Sequence, residues 1–357
     1  MADTIKVAVI GCGGISGMHL DAYQKNPHTE IYALCDIDEN QVNKRGEEYG
    51  VPAQRRFLNF EDMLAALPDI DAVSVCTWNS AHAPCAIAAL KAGKHVLCEK
   101  PMALNAQEAQ AMIEAARASG KLLMIGFVRR FGNDCAILQD LIDHDTFGEI
   151  YYAKATYLRR NGNPGGWFGD KARSGGGPLI DLGVHVIDLT RYLMGNHKPV
   201  SVYGATFQKL KNRPDVKLAE GYKSVSATDH DLCDVEDAVT ALIRFDNGSV
   251  ISVEASFTLN LEKDKGDIDF FGTKAGAKLD PELHVYATMN GYMTNIDLAA
   301  RTALSFDGLF ANEINHFVDC VRLGIPCKNP AEDGLALMRI LDGIYESART
   351  GHEVILV

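Results

Sequence analysis

The sequence has no apolar run approaching the ~18 residues needed to span a bilayer. Its first residues, MADTIKVAVIGCGG, contain no basic stretch, no long apolar stretch and no cleavage site. Neither a membrane protein nor a secretory signal is expected, and the expected compartment is the cytoplasm. No two of the nine cysteines form a CxxC pair. Cys12, Cys35, Cys76, Cys85, Cys98, Cys135, Cys233, Cys320 and Cys327 are scattered and odd in number, which predicts buried thiols in a reducing compartment rather than a disulfide framework. Basic residues are outnumbered 47 to 35, and the resulting formal charge of −12 repels phosphate backbones and anionic lipid. Nucleic acid and membrane surfaces are therefore not expected partners. Internal repeats and low-complexity tracts are also missing.

What is present suits a globular protein: 47% of residues are apolar and 23% charged. At 357 residues the chain exceeds the roughly 250–300 that one core usually serves, so two domains are expected, residues 1–126 and 127–357. In the first, β-branched runs (Ile5–Ile10, Ile31–Cys35, Ala72–Cys76, His95–Cys98, Leu122–Ile125) alternate with helical patterns (Asp38–Tyr49, Phe60–Leu67, His82–Ala92, Asn105–Ser119). This rhythm predicts an α/β fold with an N-terminal Rossmann doubly wound parallel sheet. Beyond Gly126, strands follow one another without helices between them. Val239–Phe245 and Ile251–Phe257 alternate in period two about Asp246-Asn247-Gly248, as in a hairpin with one buried face. Glu149–Tyr157 and Lys265–Thr273 read as further strands, Pro178–Met194, Asn312–Leu323 and Glu332–Arg349 as helices, and Lys209–His230 as a polar surface loop. The second domain is thus expected to be α+β, with a large, mainly antiparallel open sheet.

Gly11, Gly13, Gly14, Ile15 and Ser16 follow a predicted strand and open a predicted helix. Such a turn lets backbone approach a pyrophosphate and offers it helix N-terminal N–H groups. Ser16 holds the third glycine position of the pattern, with Gly17 beside it as a competing register. Asp36, followed by Ile37 at the end of the second strand, can accept hydrogen bonds from both ribose hydroxyls of NAD, whereas it would repel the 2′-phosphate of NADP. NAD is the expected cofactor.

Three further stretches carry a family resemblance. They are Thr77-Trp78-Asn79-Ser80-Ala81-His82, Glu99-Lys100-Pro101, and Gly175-Gly176-Gly177-Pro178-Leu179-Ile180-Asp181-Leu182-Gly183-Val184-His185-Val186-Ile187-Asp188. Over nearly its whole length the chain resembles the glucose–fructose oxidoreductase, inositol dehydrogenase and MocA (Gfo/Idh/MocA) family. The resemblance implies that Thr77, Trp78, Asn79, His82, Glu99 and Lys100 lie at the cofactor, although the family pattern usually has proline where this chain has Trp78. It also implies that Lys100 binds and polarises the reacting hydroxyl and that the Lys100–Pro101 peptide is cis. Asp181 and His185 are implied as its catalytic partners.

Read on a helix, Asp181, His185 and Asp188 fall at i, i+4 and i+7 on one face. A neutral imidazole can take a hydroxyl proton while a carboxylate one turn away orients it. A hydrogen-bonded core histidine fits the same spacing. Asp188 reads as structural, and no metal is expected because no further ligand is evident. The glycine-rich loop before this helix offers Arg159, Arg160, Asn161, Trp167, Phe168, Lys171 and Arg173. There an indole can pack on the C–H face of a sugar and arginine or asparagine can donate to hydroxyls. Arg129 and Arg130 are candidates for the same role.

The expected activity is therefore NAD-dependent oxidation of a secondary ring hydroxyl of a sugar, a glycoside (at C3, for example) or a cyclitol such as inositol, with hydride passing to nicotinamide C4 in a domain cleft. Two alternatives use the same features: an NAD-dependent glycoside-cleaving enzyme that oxidises only transiently, and a non-catalytic NAD or sugar sensor. The open sheet would leave a large apolar face unless helices or another subunit covered it, and the resemblance implies pairing through that face, so a homodimer or homotetramer is expected.

Overall fold

Apolar runs bounded by glycine and polar turns become the strands of a parallel sheet. A computed structural model describes residues 4–211, 213, 216–217, 222–228, 230–279, 281–299, 302–306 and 308–356. In it, β1 (Ile5–Ile10), β2 (Thr29–Cys35), β3 (Arg56–Phe57), β4 (Ala72–Val75), β5 (His95–Glu99) and β6 (Leu123–Gly126) pair in the order β3-β2-β1-β4-β5-β6, all parallel. A sheet covered on both faces must be apolar on both, and Val7, Val9, Val73, Val75, Val96 and Leu97 are completely buried. Each such side chain contributes about 2 kcal/mol of transfer free energy. The strand order reverses between β1 and β4, and in sheets of this kind ligands bind beyond the strands' carboxyl ends at such a reversal.

The connecting helices are α1 (Gly14–Lys25), α2 (Glu39–Glu48), α3 (Phe60–Ala66), α4 (Asn79–Lys91) and α5 (Ala106–Ser119). Asp38, Asn59 and Asn105 cap α2, α3 and α5 by accepting first-turn N–H groups, and Gly120 closes α5 in the left-handed region. Helix α4 starts three residues before the expected His82 and keeps Pro84 inside it. Strand β3, only two residues long, is too short to leave a periodic signal.

Contacts divide the chain into two units: residues 1–128 with 308–338, and residues 129–307 with 339–357. The first break falls two residues beyond the expected one, and 308–338, expected in the second domain, joins the first unit. It contributes α9 (Leu309–Leu323), which packs on α1, and the start of α10 (Ala331–Thr350). Buried Asn329 explains the attachment: its carbonyl accepts from Ile125 N–H at 3.1 Å and its side-chain amide donates to the Ile125 carbonyl at 3.0 Å, on β6.

The second unit holds α6 (Asn133–Asp143), β7 (Ile150–Leu158), α7 (Lys171–Ser174), α8 (Val184–Leu193), β8 (Pro199–Phe207), β9 (Ala238–Phe245), β10 (Val250–Ser256), β11 (Lys265–Gly272), β12 (Ala275–Leu279), β13 (His284–Met289), β14 (Tyr292–Ile296) and β15 (Val354–Ile355). Among the described residues the strands form one nine-stranded sheet, β14-β13-β12-β11-β7-β10-β9-β8-β15, antiparallel except for the β7–β10 pair. Ala241, Ile243 and Phe245 of β9 point inward and Thr240, Leu242 and Arg244 outward, and Gly248 takes φ +87° in the expected turn. Within the expected loop Lys209–His230, residues 212, 214, 215, 218–221 and 229 lie outside the described residues; Ser224 N–H donates to the Pro164 carbonyl at 2.9 Å.

Seven of the nine cysteines are buried. Loss of hydration on burial pushes the thiols of Cys35 and Cys85 up to about 12 and raises Cys12, Cys76 and Cys98 as well, which keeps them un-ionised. None of the described helices is long and apolar enough to cross a membrane.

Arg130 and Asp188, each less than one-tenth exposed, meet in a bidentate pair, Nε to Oδ2 at 3.0 Å and Nη2 to Oδ1 at 2.5 Å, with the guanidinium 4.6 Å from the Tyr192 ring centre. Removing one partner breaks a buried bidentate ion pair. Arg130→Met is expected to cost about 3–5 kcal/mol in urea denaturation, and Arg130→Met with Asp188→Leu to recover most of that loss. An Arg130→Met loss under about 1 kcal/mol would mean the pair does not hold α8.

Candidate active site

At the end of β1 the chain turns through Gly11 at φ +92°. A Cβ there would lie 2.5 Å from the Cys76 carbonyl oxygen, just beyond β4, so only glycine fits. Gly13 precedes α1 and makes no side-chain cap, and a Cβ on it would meet no atom within 4 Å. A helix start that lacks a cap and borders open space suits a pyrophosphate. Exposed Gly14 and half-buried Ile15 begin the helix. Ser16 is fully buried and donates from Oγ to the Gly13 carbonyl at 2.6 Å, so it fills the third glycine position; Gly17 instead lies against Arg45. Arg45 also donates from Nη2 to the Gly13 carbonyl at 3.2 Å, a contact absent from the sequence reading because it comes from α2.

Asp36 stands one residue beyond β2, half-buried, while Ile37 is 72% exposed. Its Oδ2 accepts Cys12 N–H at 2.6 Å and its Oδ1 accepts Asp38 N–H at 2.8 Å. The carboxylate is thereby fixed against the glycine turn, and each oxygen retains acceptor capacity for a ribose hydroxyl. These residues fit the adenosine end of NAD.

The ends of β4 and β5 are tied together. Fully buried His82, on α4, lies with Nδ1 2.7 Å from the Pro101 carbonyl and Nε2 3.1 Å from the Thr77 carbonyl. Burial outweighs these carbonyls and holds the imidazole below its ordinary pKa, so a neutral ring donates to one carbonyl at a time. Thr77 Oγ1 donates to the Trp78 carbonyl at 3.2 Å, and buried Asn79 begins α4. Trp78 adopts φ −74° and ψ 160°, a conformation that proline and tryptophan can both take.

The Lys100–Pro101 peptide is cis. Before it, buried Glu99 accepts from Lys100 N–H at 3.2 Å and meets His19 Nε2 at 2.8 Å. His19, fully buried on α1, continues through Nδ1 to Ser74 Oγ at 3.3 Å, and Ser74 meets Tyr23 OH at 2.7 Å. Burial works to raise the Glu99 carboxyl; the His19 hydrogen bond, the His19 charge and Lys100 together outweigh it and leave it below its ordinary value. The partnership of His19 with Glu99 joins residues far apart in the chain and left no signal in the sequence.

In the second unit, Asp181 and His185 are both half-buried. The expected single helix begins instead as a π turn, Leu179–Gly183, in which Val184 N–H reaches the Leu179 carbonyl, and then continues as α8. Such turns are rare and concentrate at functional sites. Asp188 points away from the expected polar stripe into the core, against Arg130. The turn is anchored by Glu236, which the sequence reading missed: its carboxylate accepts Gly177 N–H at 2.9 Å, Leu179 N–H at 3.2 Å and Tyr345 OH at 2.9 Å. A Cβ on Gly176 would lie 2.0 Å from Tyr345 Oη, and one on Gly177 2.3 Å from the Glu236 carbonyl oxygen, so the glycines before Pro178 permit this close packing.

The remaining candidates scatter within this unit. Asn161 and Arg160 line a cavity of about 850 Å³ with Arg213, Lys217, Lys263 and Asp264. Trp167 stacks on Phe168 at 3.9 Å between ring centres. Arg159 folds back to the Gly162 carbonyl at 3.0 Å and Tyr157 OH at 3.3 Å, and Arg129 pairs with Asp134 at 3.0 Å. Exposed Arg173 pairs with Asp170 at 3.2 Å, and Lys171 is exposed.

A doubly wound sheet with this glycine turn and acidic strand end defines a dinucleotide-binding Rossmann protein. Residues 5–127 match the NAD-binding Rossmann fold of an oxidoreductase family, and residues 139–356 match that family's C-terminal α/β domain. The chain is 33% identical to D-glucoside 3-dehydrogenase of Escherichia coli (strain K12), over 98% of this chain and 97% of that one. It is 26% identical to inositol 2-dehydrogenase of Rhizobium meliloti (strain 1021), over 98% and 99%. The crystal structure of aldose-aldose oxidoreductase from Caulobacter crescentus complexed with glycerol superposes with a TM-score of 0.81 at 26% identity, covering 99% of this chain and 100% of that one. The chain belongs to the Gfo/Idh/MocA oxidoreductase family, and its cofactor is NAD.

Two outcomes follow from this geometry. Asp36→Ser should weaken NAD about tenfold in calorimetric titration while narrowing the preference over NADP; an unchanged preference would remove Asp36 from the explanation. Because Glu99 is depressed in the folded state, its contribution is complete above its ordinary value of 4.5 and disappears as pH falls through the depressed one. Glu99→Gln should flatten that acid limb of stability, and an unaltered acid transition would contradict the assignment.

Proposed function

We propose that this protein is an NAD-dependent dehydrogenase of a secondary ring hydroxyl on a sugar, glycoside or cyclitol. The observation that carries this reading is the similarity, across almost the full length of both chains, to D-glucoside 3-dehydrogenase, in a chain whose sequence carries Lys100, Asp181 and His185 in the three stretches quoted above. A glucoside oxidised at C3 is accordingly the first substrate class to try, with inositols next.

Bound NAD⁺ supplies the hydride acceptor, nicotinamide C4. In this reading Gly11, Gly13, Gly14, Ile15, Ser16, Asp36, Ile37, Thr77, Trp78, Asn79, His82 and Glu99 serve the cofactor. Lys100 has its backbone held between the Glu99 carboxylate and Pro101, and its ammonium donates to the reacting hydroxyl and stabilises developing alkoxide. His185 accepts the hydroxyl proton, alone or with Lys100, and Asp181 orients the imidazole. Asn161 and Trp167 present an amide and an indole to the ring, while Arg129 and Arg159 donate to hydroxyls alongside their bonds to Asp134 and Tyr157. The enzyme is proposed to act in the cytoplasm.

A second copy of the chain is proposed to cover the outer face of the nine-stranded sheet. Tyr203 is paired with Leu242, and Tyr152 with Phe271, on that face; Tyr203 is 52% and Leu242 47% exposed. This gives a homodimer or homotetramer.

In a screen of glycosides, hexoses and cyclitols for NADH formation, with products checked for cleavage, at least one sugar or cyclitol should reduce NAD⁺. With that substrate, His185→Asn should lower kcat by on the order of 10²–10⁴ while leaving NAD affinity nearly intact. Turnover close to wild type would remove His185 from the reaction, and tight NAD binding without any reducible substrate would overturn the dehydrogenase reading.

A further inference from the structure

Far along the sequence from the cofactor residues, but within the first unit, three metal-ligating side chains converge. His316 and Cys320 stand one turn apart on α9, and the chain beyond the helix brings back Cys327. One ligating atom from each lies within 4.8 Å of the other two, and His316 Nε2 is 3.4 Å from Cys320 Sγ. Cys320 is buried, while His316 and Cys327 are half-buried, so an ion from solvent can reach the group. Lys328 N–H donates to His316 Nε2 at 2.9 Å, which places the ring proton on Nδ1 and makes Nε2, the nitrogen nearest Cys320 Sγ, the one that carries the lone pair.

We propose that His316, Cys320 and Cys327 bind one thiophilic divalent cation of the zinc type. Two thiolates and an imidazole are a donor set suited to Zn²⁺ or Cd²⁺, whereas Mg²⁺ and Ca²⁺ require oxygen ligands. Tetrahedral bonds of about 2.3 Å to sulfur and 2.0 Å to nitrogen set sulfur–nitrogen separations near 3.5 Å and sulfur–sulfur separations near 3.8 Å. The observed 3.4 Å meets the first, and the 4.8 Å bound requires at most a small contraction for the second. On binding, each thiol gives its proton to solvent, the two thiolates neutralise the cation, and His316 exchanges the Lys328 hydrogen bond for a metal bond. A water completes the fourth position. Because Asn329, two residues after Cys327, is bonded to β6, the ion would tether the end of α9 to the edge of the parallel sheet.

The test uses the full-length chain, reduced and stripped of metal, titrated with Cd²⁺ to read the thiolate-to-metal ultraviolet band and with Zn²⁺ against a chromophoric chelator. The expected result is one tight ion per chain, release of about two protons per ion, and a rise in Tm. Cys320→Ser and Cys327→Ser should abolish the band and His316→Ala weaken binding, with NAD affinity unchanged. Cys327, being half-buried, gives the variant that keeps the test informative should Cys320→Ser fail to fold. Wild-type protein binding no more tightly than Cys327→Ser would overturn the proposal, as would reduced thiols that ignore the metal yet form a Cys320–Cys327 disulfide on oxidation.

Discussion

The end of β1 and the end of β4 approach so closely that a hydrogen atom is all the space between them admits at Gly11. That contact forces the left-handed turn, and the turn in turn delivers Gly13 to the start of α1, which no side chain caps. It also sets Cys12 N–H against Asp36, so its carboxylate is held by the same bend that opens α1. The position of Asp36 and the backbone geometry of the glycine turn are therefore one feature. A side chain at Gly11 would disturb both, because it would push apart the two strands at which the sheet reverses its order.

Around that bend, and again in the second unit, the polar groups that position candidate site residues are buried and paired. Glu99 with His19 steadies the backbone at Lys100; Glu236 with Tyr345 holds the π turn that carries Asp181; Arg130 with Asp188 fixes α8 behind His185. Buried ion pairs add little to stability compared with an apolar core, but an unpaired member is costly, so each pair penalises any arrangement other than its own. This is a means of fixing orientation, which hydrophobic packing alone does less sharply. The raised carboxyl of Glu236, caused first by burial and opposed by its hydrogen bonds, belongs to the same economy of desolvated acceptors.

The parts of the molecule legible in the sequence are those governed by local rules. Period-two alternation located β9 and β10 and their turn, Asp and Asn marked helix starts, and glycine spacing marked the turn from β1 into α1. What escaped depends on long-range packing. Nothing near Asn329 announces its bonds to Ile125, so 308–338 was read with the second domain. His19 and Glu99, or Glu236 and Gly177, lie too far apart in sequence for spacing to relate them. A period of 3.6 could not reveal that the helix after Pro178 opens with a π turn, nor that Asp188 would leave the polar stripe for Arg130. Trp78 is an intermediate case, because the departure from proline was visible and only the backbone angles showed why it is tolerated.

The central claim, that this bend and its neighbouring strand ends hold NAD, is tested most directly by amide hydrogen exchange with and without the cofactor. The account predicts slowed exchange concentrated in residues 11–16, 36–38 and 77–82 on addition of NAD. Protection confined to other segments, with those amides unchanged, would contradict it.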